Sequence, residues 1–173
     1  MVKRVAILVE DDYEDMELWY PLIRLEEEGY EVSVVGIECD LYFSKHGYEV
    51  AADRSIDEVH TDEFDAVLVP GGWAPDRLRR HPGVNDFVRM MFEGNKLVAS
   101  ICHGGSVLIS AGILRGKKAT SASAIRDDMI NAGARFIDNE VICDGNLITS
   151  RGPKDLPAFM REIIKRLAGK EPC

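Results

Sequence analysis

Val98-Ala99-Ser100-Ile101-Cys102-His103-Gly104-Gly105 decides how this chain reads. A short run of apolar and small residues leads straight into a thiol, and two glycines follow. A run of that length predicts a buried strand over 96–101, with a helix from about 106 to 110. Strand, nucleophile-type residue, glycine turn and helix make a nucleophile elbow, a tight turn that lifts one side chain clear of the sheet edge. Gly104 and Gly105 supply the backbone freedom that the turn needs. The helix that begins there aims unpaired N–H groups at Cys102 and favours its thiolate. The other reading of the same position is an inert cysteine buried in a core.

The flanks supply the rest of the fold class. Further buried strands are predicted at 3–9, 32–37 and 65–69, and a weakly alternating edge at 46–50. A helix over 15–28 carries Leu18, Leu22 and Leu25 at helical spacing, and Gly29 stops it. Further helices are predicted at 85–92, before Gly94-Asn95, and at 125–132, before Gly133. A last one runs from Pro153 to about 167. Asp144-Gly145 between two apolar runs, 140–143 and 146–150, marks a hairpin. Strands alternating with helices, with continuously apolar strands, imply an α/β doubly wound, mostly parallel sheet covered on both faces, in one domain over 1–173. Such sheets bind ligands at the carboxyl ends of their strands. The candidate site loops are therefore 10–14, 70–75, 102–105 and 120–123.

Composition narrows the function classes. The chain has 173 residues, 46% of them hydrophobic, enough to build a core without staples. With 21 basic and 30 acidic side chains the net charge is −9, which argues against a nucleic-acid footprint. No run reaches the length of a membrane span and no leader is evident, so the expected compartment is the cytoplasm. Cys39, Cys102, Cys143 and Cys173 share no C-x-x-C spacing. Free thiols without a metal are expected. His46, His60 and His81 have no partner at metal-ligand spacing and read as surface or structural residues. Arg151 reads as a salt-bridge partner.

Two further loops bear on chemistry. Adjacent Gly71 and Gly72 after a predicted strand can present backbone N–H groups as half of an oxyanion hole, or can form an ordinary turn. The first strand ends in Glu10, Asp11, Asp12, Glu14 and Asp15, a set that usually forms a solvated loop. If Glu14 enters the pocket, burial and Cys102 raise its pKa and keep it protonated, able to donate a hydrogen bond to the thiolate.

Glu14-Asp15-Met16-Glu17-Leu18, Pro70-Gly71-Gly72-Trp73-Ala74-Pro75 and Ala99-Ser100-Ile101-Cys102-His103-Gly104 resemble the ThiJ/PfpI superfamily, and above all its PfpI-type members. Lys45-His46-Gly47-Tyr48, Asp127–Gly133 and Ser150-Arg151 extend the likeness along nearly the whole chain. The resemblance implies a flavodoxin-like sandwich with Cys102 as nucleophile, His103 beside it and Glu14 as the carboxyl bonded to the thiol. It implies an oxyanion hole from the backbone N–H groups of Gly72 and His103. It also implies that Asp76 of a neighbouring subunit orients the histidine, within a homo-oligomer of dimers or hexamers. No cofactor is implied. Two positions depart from the family pattern. Gly105 stands where proline is usual, and Ala122 in Thr120-Ser121-Ala122-Ser123 replaces an aromatic wall that Trp73 is a candidate to refill.

Three functions fit these residues. The first is a cysteine hydrolase of the deglycase or glyoxalase-like kind, acting on small carbonyl adducts in stress protection. The second is an oligomeric cysteine peptidase that uses the same groups on a peptide. The third is a non-enzymatic redox sensor or chaperone whose Cys102 oxidises.

Overall fold

The computed structural model describes residues 2–170. The chain begins with β1 (Arg4–Leu8), α1 (Asp15–Glu27) and β2 (Glu31–Gly36). A hairpin of β3 (Leu41–Phe43) and β4 (Glu49–Ala51) leads to the two-residue β5 (Arg54–Ser55). Next come β6 (Ala66–Val69), α2 (Ala74–Leu78), α3 (Pro82–Glu93), β7 (Leu97–Ile101) and α4 (Gly105–Ala111). The last part holds β8 (Lys118–Ala119), α5 (Arg126–Asn131), β9 (Arg135–Phe136), the hairpin β10 (Val141–Asp144) and β11 (Leu147–Ser150), and α6 (Leu156–Leu167).

The main sheet has strand order β10-β11-β7-β6-β1-β2-β5, and only β10–β11 pairs antiparallel. This is the doubly wound, flavodoxin-like α/β fold expected from the strand–helix alternation. Alternate residues of each central strand point to opposite faces. Ala6, Leu8, Val67, Val69 and Val98 enter one core with α3 and α4, including Phe87, Met91 and Leu108. Val5, Ile7, Leu68, Ala99 and Ile101 enter the other, against α1 and α6. Helix α6 meets that face with Leu156, Phe159, Met160, Ile163 and Leu167. That spacing is helical, and each such side chain contributes roughly 1.5–3 kcal/mol when fully buried.

The chain leaves β1 for β2 on one side and returns to β6 on the other, so the strand order reverses between β1 and β6. Loops leaving these two strands in opposite directions open a crevice at their carboxyl ends. Tyr13, fully buried, closes its floor by bridging to Ser44 on one side and Gly72 on the other.

Some local expectations shift. Residues 46–50 are mostly the connection of the β3–β4 hairpin, with the paired strands on either side. The β8–β9 ribbon has two residues per strand, too short for a periodic signal. Cys39 and Cys102 are free thiols, whereas Cys143 is disulfide-bonded, against the expectation of free thiols. Cys173, also expected as a free thiol, lies outside the described residues.

Candidate active site

Strand β7 ends at Ile101, and Cys102 opens a single 3₁₀ turn before α4. Cys102 has φ +59°, a left-handed conformation that costs a non-glycine residue energy and recurs where a side chain is held for chemistry. This is the elbow that the sequence predicts. The sulfur lies 3.2 Å from His103 Nδ1. The backbone N–H groups of His103 and Gly72, the two expected oxyanion donors, face the sulfur and favour its thiolate. Gly72 can serve because its φ is +79°, and a Cβ there would sit 2.4 Å from the Asp12 carbonyl oxygen.

The carboxyl against the thiol is Glu17 and not Glu14. Glu17 is fully buried, and its Oε2 accepts the Gly71 N–H at 2.8 Å. The contact is so close that a Cβ on Gly71 would fall 2.4 Å from Glu17 Oε2 and 2.7 Å from Cys102 Cβ. Glu14 occupies the N-cap position of α1, and its carboxylate pairs with Lys45 Nζ at 2.8 Å. The reason is helical phase. Glu17, Leu18, Pro21 and Leu25 form the buried stripe of α1, and residue 14 lies just before the helix, over the β3–β4 hairpin. A carboxylate inside an otherwise apolar stripe was the signal that could have identified Glu17.

Burial, and then the Glu17 carboxylate, push the Cys102 thiol up to about 12, against the pull of the two N–H groups. Burial pushes Glu17 up to about 7, and the Gly71 N–H opposes it. The thiol's direction is opposite to the one expected from a helix N-terminus. Helix α4 has only seven residues and begins beyond the 3₁₀ turn, so desolvation outweighs it. Two acids in one dry pocket do not ionise together, so they titrate as a pair that shares its last proton. Burial, helped by the Lys45 ammonium, holds His103 below the usual imidazole range, neutral and able to accept a proton.

Asp76 lies on α2, 60% exposed, and pairs with Arg80. It does not cap α2, whose N-cap position is Trp73. It lines a cleft of about 580 Å³ together with Gly72, Trp73 and His103, yet among the described residues it makes no hydrogen bond to His103. A second cavity, of about 650 Å³, opens beside Ala122 and is walled by Phe136, Arg126 and Arg151. The Ala122 N–H donates to the Cys102 carbonyl, so this cavity adjoins the elbow. Trp73 does not refill it. The indole lies over His103 instead, with ring centroids 6.0 Å apart. Met129 and Ile125 close over Gly105, the other departure. Arg151 is a salt-bridge residue, held by Asp155 and Asp138.

His46 does acquire neighbours. Its Nδ1 lies 2.7 Å from Asp15 Oδ2, and His46, Asp15 and Glu14 offer ligand atoms within 4.8 Å of one another. Lys45 on Glu14 and the Ser44 hydroxyl on Asp15 already engage those carboxylates.

Comparison with known proteins agrees with this geometry. Residues 3–166 match the model of the DJ-1/PfpI family. The chain is 51% identical to deglycase PfpI of Pyrococcus furiosus over 164 residues, 95% of this chain and 99% of that one. It is 52% identical to a deglycase of Thermococcus kodakarensis over the same span, again covering 99% of the relative. Drosophila melanogaster DJ-1beta superposes with a TM-score of 0.92 at 31% identity, over 98% of this chain and 92% of that one. A two-domain protein of Anabaena variabilis, with DJ-1/ThiJ/PfpI-like and ferritin-like domains, superposes at 0.95 with 47% identity. This chain covers 96% of itself and 48% of that protein in the match. The chain therefore belongs to the DJ-1/PfpI family.

Proposed function

We propose that this protein is a cysteine-dependent hydrolase of the deglycase kind, removing small carbonyl adducts from amines and thiols. The observation that carries the reading is one sulfur placed against a neutral imidazole, a buried carboxyl and two backbone N–H groups. The relatives named deglycases, at 51% and 52% identity over nearly the whole chain, support it.

The chemistry follows from the groups present. The Cys102 sulfur attacks the hemiaminal or hemithioacetal carbon of the adduct: a C–S bond forms there, and the bond from that carbon to the amine or thiol breaks with its electron pair. The N–H groups of Gly72 and His103, which face the sulfur in the resting site, hold the oxygen on that carbon. The thiol proton passes to His103, which is neutral and can take it, and then to the departing amine or thiol. Water then adds at the same carbon as its bond to Cys102 breaks; the sulfur regains a proton, and the carbonyl compound leaves as its hydrate. Glu17 holds the shared proton next to Cys102, so the thiolate forms beside a neutral carboxyl and not beside a second anion. Asp76 acts from a second copy, in a homo-oligomer, by reaching His103 and stabilising its protonated form. The setting is the cytoplasm, in protection against reactive carbonyls.

Pure protein and Cys102→Ser, compared on methylglyoxal adducts and on casein, test the reading. Turnover of the adducts by wild type alone supports it. Casein cleavage without adduct turnover would make the protein a peptidase. Oxidation of Cys102 without turnover of either substrate would make it a sensor.

A further inference from the structure

Among the described residues, the cleft over His103 contains one cation with no carboxylate partner. Arg77, at its rim, pairs with Asp12 and Asp11, and Asp76 pairs with Arg80. Arg79 differs. Its Nε donates to Ser110 Oγ at 2.9 Å. Among the described residues its Nη groups have no partner, and no carboxylate lies within ion-pair distance. The residue is half-buried at the end of α2, and the Asn85 side chain ties down its carbonyl at 2.7 Å. Asp12 and Asp76 line the same cleft, but Arg77 and Arg80 engage them, and among the described residues no carboxylate is set against Arg79. A partly desolvated guanidinium keeps its charge and presents a planar fork of donors that fits a carboxylate. The same cleft offers Trp73 as an apolar wall beside the nucleophile's histidine.

We propose that this cleft is a subsite for a carboxylate on the substrate, with Arg79 as its anion-binding residue and Trp73 as the wall for the adjoining carbon chain. The substrate class then narrows to carbonyl adducts of small carboxylate-bearing amines and thiols, such as amino acids or N-acylated cysteine. This rests on the deglycase reading, but the site has a test of its own.

Iodoacetate and iodoacetamide both alkylate a thiolate by forming a C–S bond and expelling iodide, and differ only in carboxylate against amide. Their rates at Cys102, followed by mass spectrometry, are compared in wild type, Arg79→Gln, Arg79→Lys and Arg77→Gln. Losing a charge-assisted pair should lower the iodoacetate rate in Arg79→Gln by about tenfold, with little change for iodoacetamide. Arg79→Lys should retain part of the preference. Arg77→Gln, whose charge is already cancelled, should leave the ratio alone. N-acetylglycine should protect wild-type Cys102 from iodoacetamide better than its amide does, which keeps the test open if Arg79→Gln does not fold. An unchanged ratio in Arg79→Gln, an equal fall in Arg77→Gln, or no protection by N-acetylglycine overturns the proposal. Dissociation of the assembly in Arg79→Gln with the ratio unchanged makes Arg79 a subunit contact and also overturns it. In turnover, Arg79→Gln should raise KM for the methylglyoxal adduct of N-acetylcysteine and not for that of its amide, with kcat unchanged. If the labelling ratio falls but neither adduct turns over, the deglycase reading fails and the anion subsite stands.

Discussion

At the scale of single residues, Glu17 and Cys102 make a titrating pair whose behaviour can be separated. Replacing Glu17 by Gln removes the negative charge that helps to hold the thiol up near about 12, and leaves a side chain that can still donate to sulfur. The thiol of Glu17→Gln should therefore titrate at lower pH than that of wild type, read as thiolate absorbance near 240 nm. Glu14→Gln, whose parent side chain faces Lys45, should move it far less. Equal effects from the two variants would return Glu14 to the site. Stability gives a second reading. The Glu17 carboxyl loses its proton near 4.5 in the unfolded chain and near about 7 in the folded one. Between those values the native state binds more protons, so this residue makes stability fall as pH rises, by ~3 kcal/mol across the window. Urea unfolding of Glu17→Gln should lack that slope relative to wild type. Sequence shows Cys102, His103 and Gly72 because each sits at a fixed offset from a strand end. It does not separate Glu14 from Glu17, because the offset depends on how the 9–14 loop is wound. That loop contains Asp12 at φ +64° and the buried Tyr13, neither of which announces itself in the string.

At the scale of elements, the site depends on how closely three strand-end turns approach. The turn after β6 lies between α1 and the elbow after β7, and Gly71 marks the narrowest point. Gly71→Ala forces its methyl against Glu17 and Cys102. It should cost about 1–3 kcal/mol in stability, typical of overpacking, and should slow Cys102 alkylation as the pair is pushed apart. Wild-type stability together with wild-type labelling would show that α1 can slide to make room. The long elements were legible because strands buried on both faces read as continuous apolar runs, and the helices that cover them carry an apolar stripe at helical spacing. The short ones were not. Helix α2 spans five residues and β8 and β9 two each, and packing decides such pieces more than local preference. Asp76 therefore lies within a helix and not at its cap. The helix starts earlier than its polar residues suggest, at Ala74, with Trp73 at the N-cap.

At the scale of the whole molecule, the question is what a single chain lacks. Among the described residues His103 has no carboxylate partner, while Asp76 lines the same cleft and its carboxylate is engaged in an exposed pair with Arg80. Such a pair contributes little to folding, at most about 1 kcal/mol. Asp76→Asn should therefore fold and assemble as wild type does in sedimentation, yet turn over at roughly a tenth of the rate or less, about 1.4 kcal/mol in the barrier. Full activity in that variant, or in a monomer produced by dilution, would leave Cys102, His103 and Glu17 as the whole apparatus. How copies can meet is constrained by the ends of the sheet. One end is β5, two residues long, and at the other the β8–β9 ribbon lies against β10, with the Lys118 N–H bonded to Asp144. Among the described residues neither margin offers a long row of vacant backbone groups for a neighbour to zip onto. Growth by strand addition into fibrils is thereby discouraged, and helices and loops are the surfaces left for one copy to meet another.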